Sequence, residues 1–104
     1  MGYITVVSVF EVVAQPLRRR ILDLLLERPH QVGELVAELG MSQPAVSKHL
    51  RTLRRVGLVT VCADAQRRWY ELRPEQLSEI DDWLAPYREL WPDRLNALER
   101  HLDA

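Results

Sequence analysis

Ser42-Gln43-Pro44-Ala45-Val46-Ser47-Lys48-His49-Leu50 decides the fold of this chain, because these nine residues hold a helix start, an apolar stripe and a polar face. The Ser42 hydroxyl can accept a backbone N–H as an N-cap, and Pro44 is tolerated in a first turn whose amides lack intrahelical acceptors. Val46, Leu50 and Leu53 fall at i, i+4 and i+7 and are expected to face a core. That leaves Gln43, Ser47, Lys48 and Arg51 on the opposite side, with the donors and acceptors that base edges and phosphates require.

Working upstream, Val32, Leu35, Val36 and Leu39 form the apolar stripe of a short preceding helix, and Gly40-Met41 supplies a tight turn before Ser42. Gly40 suits the positive φ of such a corner. Two short helices joined by a glycine turn, the second with an exposed polar face, read as a helix-turn-helix, with an ordinary helical hairpin as the plainer alternative. Downstream, Gly57 stands where a C-terminal cap is expected, after Arg54 and Arg55, which complement the negative end of the helix dipole, so the helix should stop at about Val56. Leu58 to Cys62 and Arg68 to Leu72 then read as two strands joined through Ala63-Asp64-Ala65-Gln66. A hairpin there is a wing, with Arg67 and Arg68 placed to reach phosphates or a minor groove.

The run from Phe10 to Leu72, about three fifths of the chain, resembles the ArsR family of winged helix-turn-helix repressors. Gln15 to Leu22 is similar to the start of the family's second helix, Gly33 to Leu39 to its first helix-turn-helix helix, and Ser42 to Leu53 to its recognition helix. Gly57 to Val59 and Arg67 to Leu72 resemble the first and return strands of its wing. Leu17 departs from the small polar residue common after the proline, and Gln66 stands where the wing turn often has glycine. The second departure leaves the turn geometry open. The resemblance implies a mainly α fold with a small β-hairpin wing and a dimer built on the N- and C-terminal helices.

With 104 residues and 47% hydrophobic content, one domain is expected, a DNA-binding core over 8–73 and a C-terminal dimerisation segment over 74–104. No apolar run approaches the roughly 20 residues of a membrane span and the N-terminus lacks signal-peptide features, so a cytoplasmic protein without a membrane partner is expected. The single cysteine excludes an intrachain disulfide. The formal charge of −1 conceals segregation: Ser42 to Arg73 carries seven basic residues against two acids, whereas Pro74 to Ala104 carries three arginines against eight acids. This would draw a polyanion to one surface and keep the tail away from it.

A first helix is expected at about Ser8 to Ala14, with Val9, Phe10, Val12 and Val13 apolar; Tyr3 to Val7 is open between strand, helical extension and lead. Pro16 opens a second helix with Leu17, Ile21, Leu24 and Leu25 as its inward stripe, and Arg18, Arg19 and Arg20 read mainly as a solvated face, with phosphate contact as the alternative. In the tail, Leu77, Ile80, Leu84, Tyr87, Trp91, Leu95, Leu98 and Leu102 recur every three or four residues, a helix-packing seam. With Phe10 it is expected to form a homodimer interface; folding back onto its own core is the alternative. The helix should start at Pro74 and be kinked or split at Pro86 and Pro92. Trp83 and Leu90, beside the seam, read as core packing, with a wider seam or the lining of a small pocket as the alternatives.

ArsR relatives that sense metals use cysteines on the first helix-turn-helix helix, or Asp and His on the last. Val32 to Leu39 has neither cysteine nor histidine, so the thiolate site is absent; a carboxylate site around His101, Glu99 and Asp103 is the residual alternative, and neither a metal nor a cofactor is expected. Cys62 reads as a small half-buried hydrophobe, His30 as a solvated connector, and His49 as a backbone contact or an internal hydrogen-bonding group. No nucleophile, base and acid form a catalytic set, so an enzyme is not expected. The reading is a sequence-specific DNA-binding repressor, a homodimer on an inverted repeat, using Ser42, Gln43, Ser47, Lys48, His49, Arg51, Arg67 and Arg68. A winged-helix protein-interaction module is the alternative from another class. A small-molecule or protein inducer is compatible with the chain, which names neither.

Overall fold

The computed structural model describes residues 8–92. Five helices, α1 (Val9–Val13), α2 (Pro16–Glu27), α3 (Val32–Leu39), α4 (Gln43–Arg55) and α5 (Ser78–Arg88), pack with an antiparallel ribbon of β1 (Val59–Asp64) and β2 (Arg67–Leu72) whose tip is exposed, and a 3-10 turn over Pro74–Leu77 precedes α5. Local chemistry sets most of these limits. Ser8 caps α1 by accepting from the Glu11 amide at 3.3 Å, and Ser42 caps α4 by accepting from the Ala45 amide at 3.3 Å. At the start of α3 the Gln31 N–H donates to Glu34 Oε1 at 2.8 Å, one half of a capping box. Gly40 ends α3 at φ 64°, as the turn between the two helices requires.

The end of α4 is a Schellman cap. The Gly57 N–H donates to the Arg54 carbonyl and the Leu58 N–H to the Leu53 carbonyl, both at 3.0 Å, while Leu53 and Leu58 are fully buried. Gly57 has φ 80°, and a Cβ there would stand 3.3 Å from Gln76 Cγ. Gly57→Ala is therefore expected to lower stability by about 1–2 kcal/mol through left-handed strain. Its thermal midpoint should fall by roughly 5 °C or more in a calorimetric scan; an unchanged midpoint would show that the cap tolerates a side chain.

Val46, Leu50 and Leu53 of α4 join Val9 and Val12 of α1, Leu35 of α3 and Leu58 and Val59 in one buried cluster. From α2 the cluster takes Ile21, Leu22, Leu24 and Leu25. Leu17, expected inward, is 40% exposed. It shares the apolar face of α2 but stands one turn ahead of Ile21, at the helix end. Arg18 and Arg19 are not a free solvated face: Arg19 Nη1 donates to the Val13 and Ala14 carbonyls at 2.7 and 3.1 Å, satisfying the C-terminal end of α1, and Arg18 Nη1 reaches the Val12 carbonyl at 3.5 Å.

The wing is longer than its sequence signals suggested, because β1 runs through Asp64 and β2 starts at Arg67, leaving a two-residue turn. Ala65, not Gln66, takes the positive φ, at 56°. His30 corrects a further expectation: it is 3% exposed, not a solvated connector. Its N–H donates to the Tyr70 carbonyl at 3.1 Å, its carbonyl accepts from the Tyr70 N–H at 2.8 Å, and its Nδ1 lies 2.8 Å from the Arg28 carbonyl. Every polar group of that residue that enters the interior thus meets a partner, which permits its burial. The bridge also anchors β2 to the α2–α3 connection, fixing the wing beside the helix-turn-helix.

The tail differs in detail. α5 starts at Ser78 rather than Pro74 and continues past Pro86 to Arg88, ending before Pro92. Pro86 lies in the last turn, where little helix remains to be disturbed. Leu77 and Ile80 pack against the core and Leu84 is half-buried, whereas Tyr87 is 49% and Trp91 45% exposed. Trp83 and Leu90 do not pack in the core: they are 54% and 76% exposed. The described part of the core is already closed by Leu77 and Ile80, one turn earlier. Leu95, Leu98, His101 and Leu102, like Tyr3 to Val7, lie outside the described residues.

Candidate nucleic-acid interface

On α4 the buried stripe turns Lys48, Arg51 and Arg55 outward, and all three are exposed. Gln43 and Ser47 fall on the flank facing the wing. With Gln31, Glu34, Gln66, Arg67, Arg68 and Tyr70 they line a groove of about 560 Å³ between the two elements. The groove's carboxylate, Glu34, is already committed: the Gln31 amide and then the Arg28 guanidinium, 3.1 Å away, hold it below the usual carboxylate range. Ser42 stays at the helix start, occupied as a cap. The concave side of the molecule is therefore a cationic helix face flanked by a ribbon with two exposed arginines at its tip, suited to a polyanion.

His49 does not join this surface. It lies on the opposite flank of α4, where its Nδ1 accepts from Arg18 Nε at 3.3 Å and ties the recognition helix to α2. Burial, then the positive charges of Arg18 and Lys48, hold its pKa below the ordinary 6.5. The folded protein binds fewer protons at this ring than the unfolded chain, so stability falls as pH drops from about 6.5 toward the lowered folded value. His49→Gln, which keeps an acceptor without titrating, should show a smaller drop in thermal midpoint between pH 7 and pH 5. Equal drops in both proteins would remove His49 as the source.

The sequence reading places Arg54 at the helix dipole and in the basic run of Ser42 to Arg73, but not beside the wing. Arg54 stands seven residues after Ser47, on the same wing-side flank, and with Arg51 and Arg68 it borders a second hollow. The spacing was visible; the position of the wing was not. Cys62, expected to be half-buried, is exposed on the wing, and its thiol donates to Glu71 Oε2 at 3.1 Å. That hydrogen bond to a carboxylate holds the thiol pKa above its ordinary value, which disfavours the reactive thiolate. Among the described residues no three His, Cys, Asp or Glu side chains converge to hold a metal ion, and the His101 group lies outside them.

A helix-turn-helix followed by an antiparallel ribbon, with cationic groups on both, defines a winged helix-turn-helix protein. Residues 15–61 match the family model described as bacterial regulatory protein, arsR family. The transcriptional activator HlyU of Vibrio cholerae is 37% identical over 78 residues, covering 75% of this chain and 72% of that protein. The transcriptional repressor SdpR of Bacillus subtilis is 29% identical over 77 residues, covering 74% and 86%. A crystal structure of a possible transcriptional regulator for arsenical resistance superposes with a TM-score of 0.69 at 37% identity, over 95% of this chain and 98% of that one. The chain belongs to the ArsR family. It spans 63% of the length of mycobacterial HTH-type regulators that it also matches. The family and these relatives are transcriptional regulators, not enzymes. No helix among the described residues is long and apolar enough to cross a membrane.

Proposed function

We propose that the chain is a sequence-specific DNA-binding transcriptional repressor, a cytoplasmic homodimer that occupies an inverted-repeat site. The observation that carries this reading is the outward cationic face of α4, Lys48, Arg51 and Arg55, beside a wing tipped by Arg67 and Arg68. Lys48 and Arg51 stand where they would meet base edges and phosphates of a major groove, Gln43 and Ser47 set the register, and the wing arginines add backbone affinity. Residues 8–73 form the DNA-binding core in this reading and 74–104 the dimerisation segment. Phe10, Trp83, Tyr87 and Trp91 leave a largely aromatic surface on α1, α5 and the turn that follows, and a twin subunit would cover it.

A two-fold dimer would set its recognition helices about 34 Å apart, one turn of duplex. HlyU is named an activator and SdpR a repressor, so relatives of both signs exist. Occlusion of a promoter needs nothing beyond the surfaces described, and repression is the reading adopted. Selection of bound fragments from a random duplex pool at fixed salt, followed by footprinting, tests it. The expected result is a protected palindrome with half-sites one helical turn apart; recovery of fragments without shared sequence would overturn it.

A further inference from the structure

The second hollow, about 230 Å³, opens between the C-terminal half of α4 and strand β2 and is lined by Ser47, Leu50, Arg51, Arg54, Arg68 and Tyr70. Two periodicities build it. Ser47, Arg51 and Arg54 recur at i, i+4 and i+7 along one flank of α4, and Arg68 and Tyr70 recur at i and i+2 on one face of β2. Leu50, 1% exposed, and Tyr70, packed against the core, back the hollow. No carboxylate lines the hollow. Among the described residues the ion pairs are Arg28 with Glu34 and Arg88 with Asp81, so Arg51, Arg54 and Arg68 carry no acidic partner. Three arginines lining one recess, without a carboxylate among them, offer the charge and the donors that a compact anion with several acceptor oxygens requires.

We propose that this hollow seats one phosphodiester of the DNA backbone, held by Arg54 and Arg68 with Arg51 at the rim. The inference rests on the DNA-binding reading above and deepens it, because it separates position from sequence recognition. A recess is poorly shaped for the flat edge of a base pair, whereas the arginine fork matches phosphate oxygens. A single phosphate held from both elements would also lock the wing against the recognition helix. His30 anchors the other side of β2 through its bridge to Tyr70, so the ribbon meets the duplex already oriented.

The test compares the unchanged protein with Arg54→Gln, Arg68→Gln and the double variant, on a selected site and on random duplex, across a salt series. Arg54 is exposed and its side chain has no hydrogen-bond partner among the described residues, so Arg54→Gln should keep the thermal midpoint. Each single variant should bind both duplexes about tenfold more weakly, with the preference between them unchanged. In the double variant the dependence of log affinity on log salt should become shallower by about 0.9, the value for one phosphate, and in each single variant by less. The double variant should lose less than the product of the single losses, as two ligands of one phosphate require. Unchanged affinity and slope in Arg54→Gln, an altered sequence preference, or independent losses would each overturn the seat. If the unchanged protein bound no duplex, the functional reading itself would fall and the seat with it.

Discussion

Replacing Lys48 and Arg51 together with alanine should reduce affinity for the selected site by about two to four orders of magnitude, with the fold unchanged. Both side chains are exposed on the outward face of α4, whereas Val46, Leu50 and Leu53 on the other face hold the helix in the core. Removing the two charges therefore costs the interface and not the packing. A bidentate contact from a basic side chain to guanine discriminates by about 1–3 kcal/mol, and a phosphate contact contributes through counterion release. Two such losses multiply to the expected range. Fluorescence anisotropy with a labelled duplex measures it, and circular dichroism checks the fold. An affinity within threefold of the unchanged protein would remove α4's outward face from the interface and leave the wing as its main element.

If the proposed homodimer forms through α1 and α5, Trp83→Glu should leave a monomer and weaken binding to the proposed palindrome by at least a hundredfold. Trp83 is 54% exposed, meets Phe10 edge to face at 5.9 Å between ring centroids, and stands 5.0 Å from the ring of Tyr87. These rings cross-link α1 and α5, and they present apolar area to solvent that a second subunit would bury. A carboxylate among these rings would have to be desolvated without a cationic partner when a second subunit covered them, which opposes association. Glu79 and Asp82 on the same helix, which make no ion pair among the described residues, add negative charge to that surface. The monomer engages one half-site and forfeits the linked second binding event, which is why an interface change far from DNA should register there. Sedimentation velocity and anisotropy read the two effects. A Trp83→Glu protein that remained dimeric would move the interface elsewhere, and dimer loss without loss of DNA affinity would separate association from recognition.

Elements bounded by their own chemistry were legible without coordinates. Ser42 and Gly40 marked the turn between α3 and α4, Gly57 marked the end of α4, and the spacing of Val46, Leu50 and Leu53 identified the buried face. Each is a short-range event, settled by capping bonds or by a helical repeat within a dozen residues. The wing's existence is legible from its β-branched and aromatic residues, but its turn is shorter than propensity indicates, because cross-strand pairing decides where a ladder ends.

What local spacing leaves open concerns partners distant in sequence. His30 lies in the connection where it is expected, but its bridge to Tyr70 buries it, and of the two readings of His49 the hydrogen bond from Arg18 matches the internal one. Arg54 changed from a helix-end charge to the rim of a hollow once β2 was placed beside it. Taken alone, the amino-acid order determined where helices begin and stop and which side of each is apolar, because those outcomes depend on neighbours a few bonds away. The packed molecule alone decided which polar groups share a surface. That depends on how the ribbon and helices approach one another, and such contacts form between side chains that local spacing never brings together.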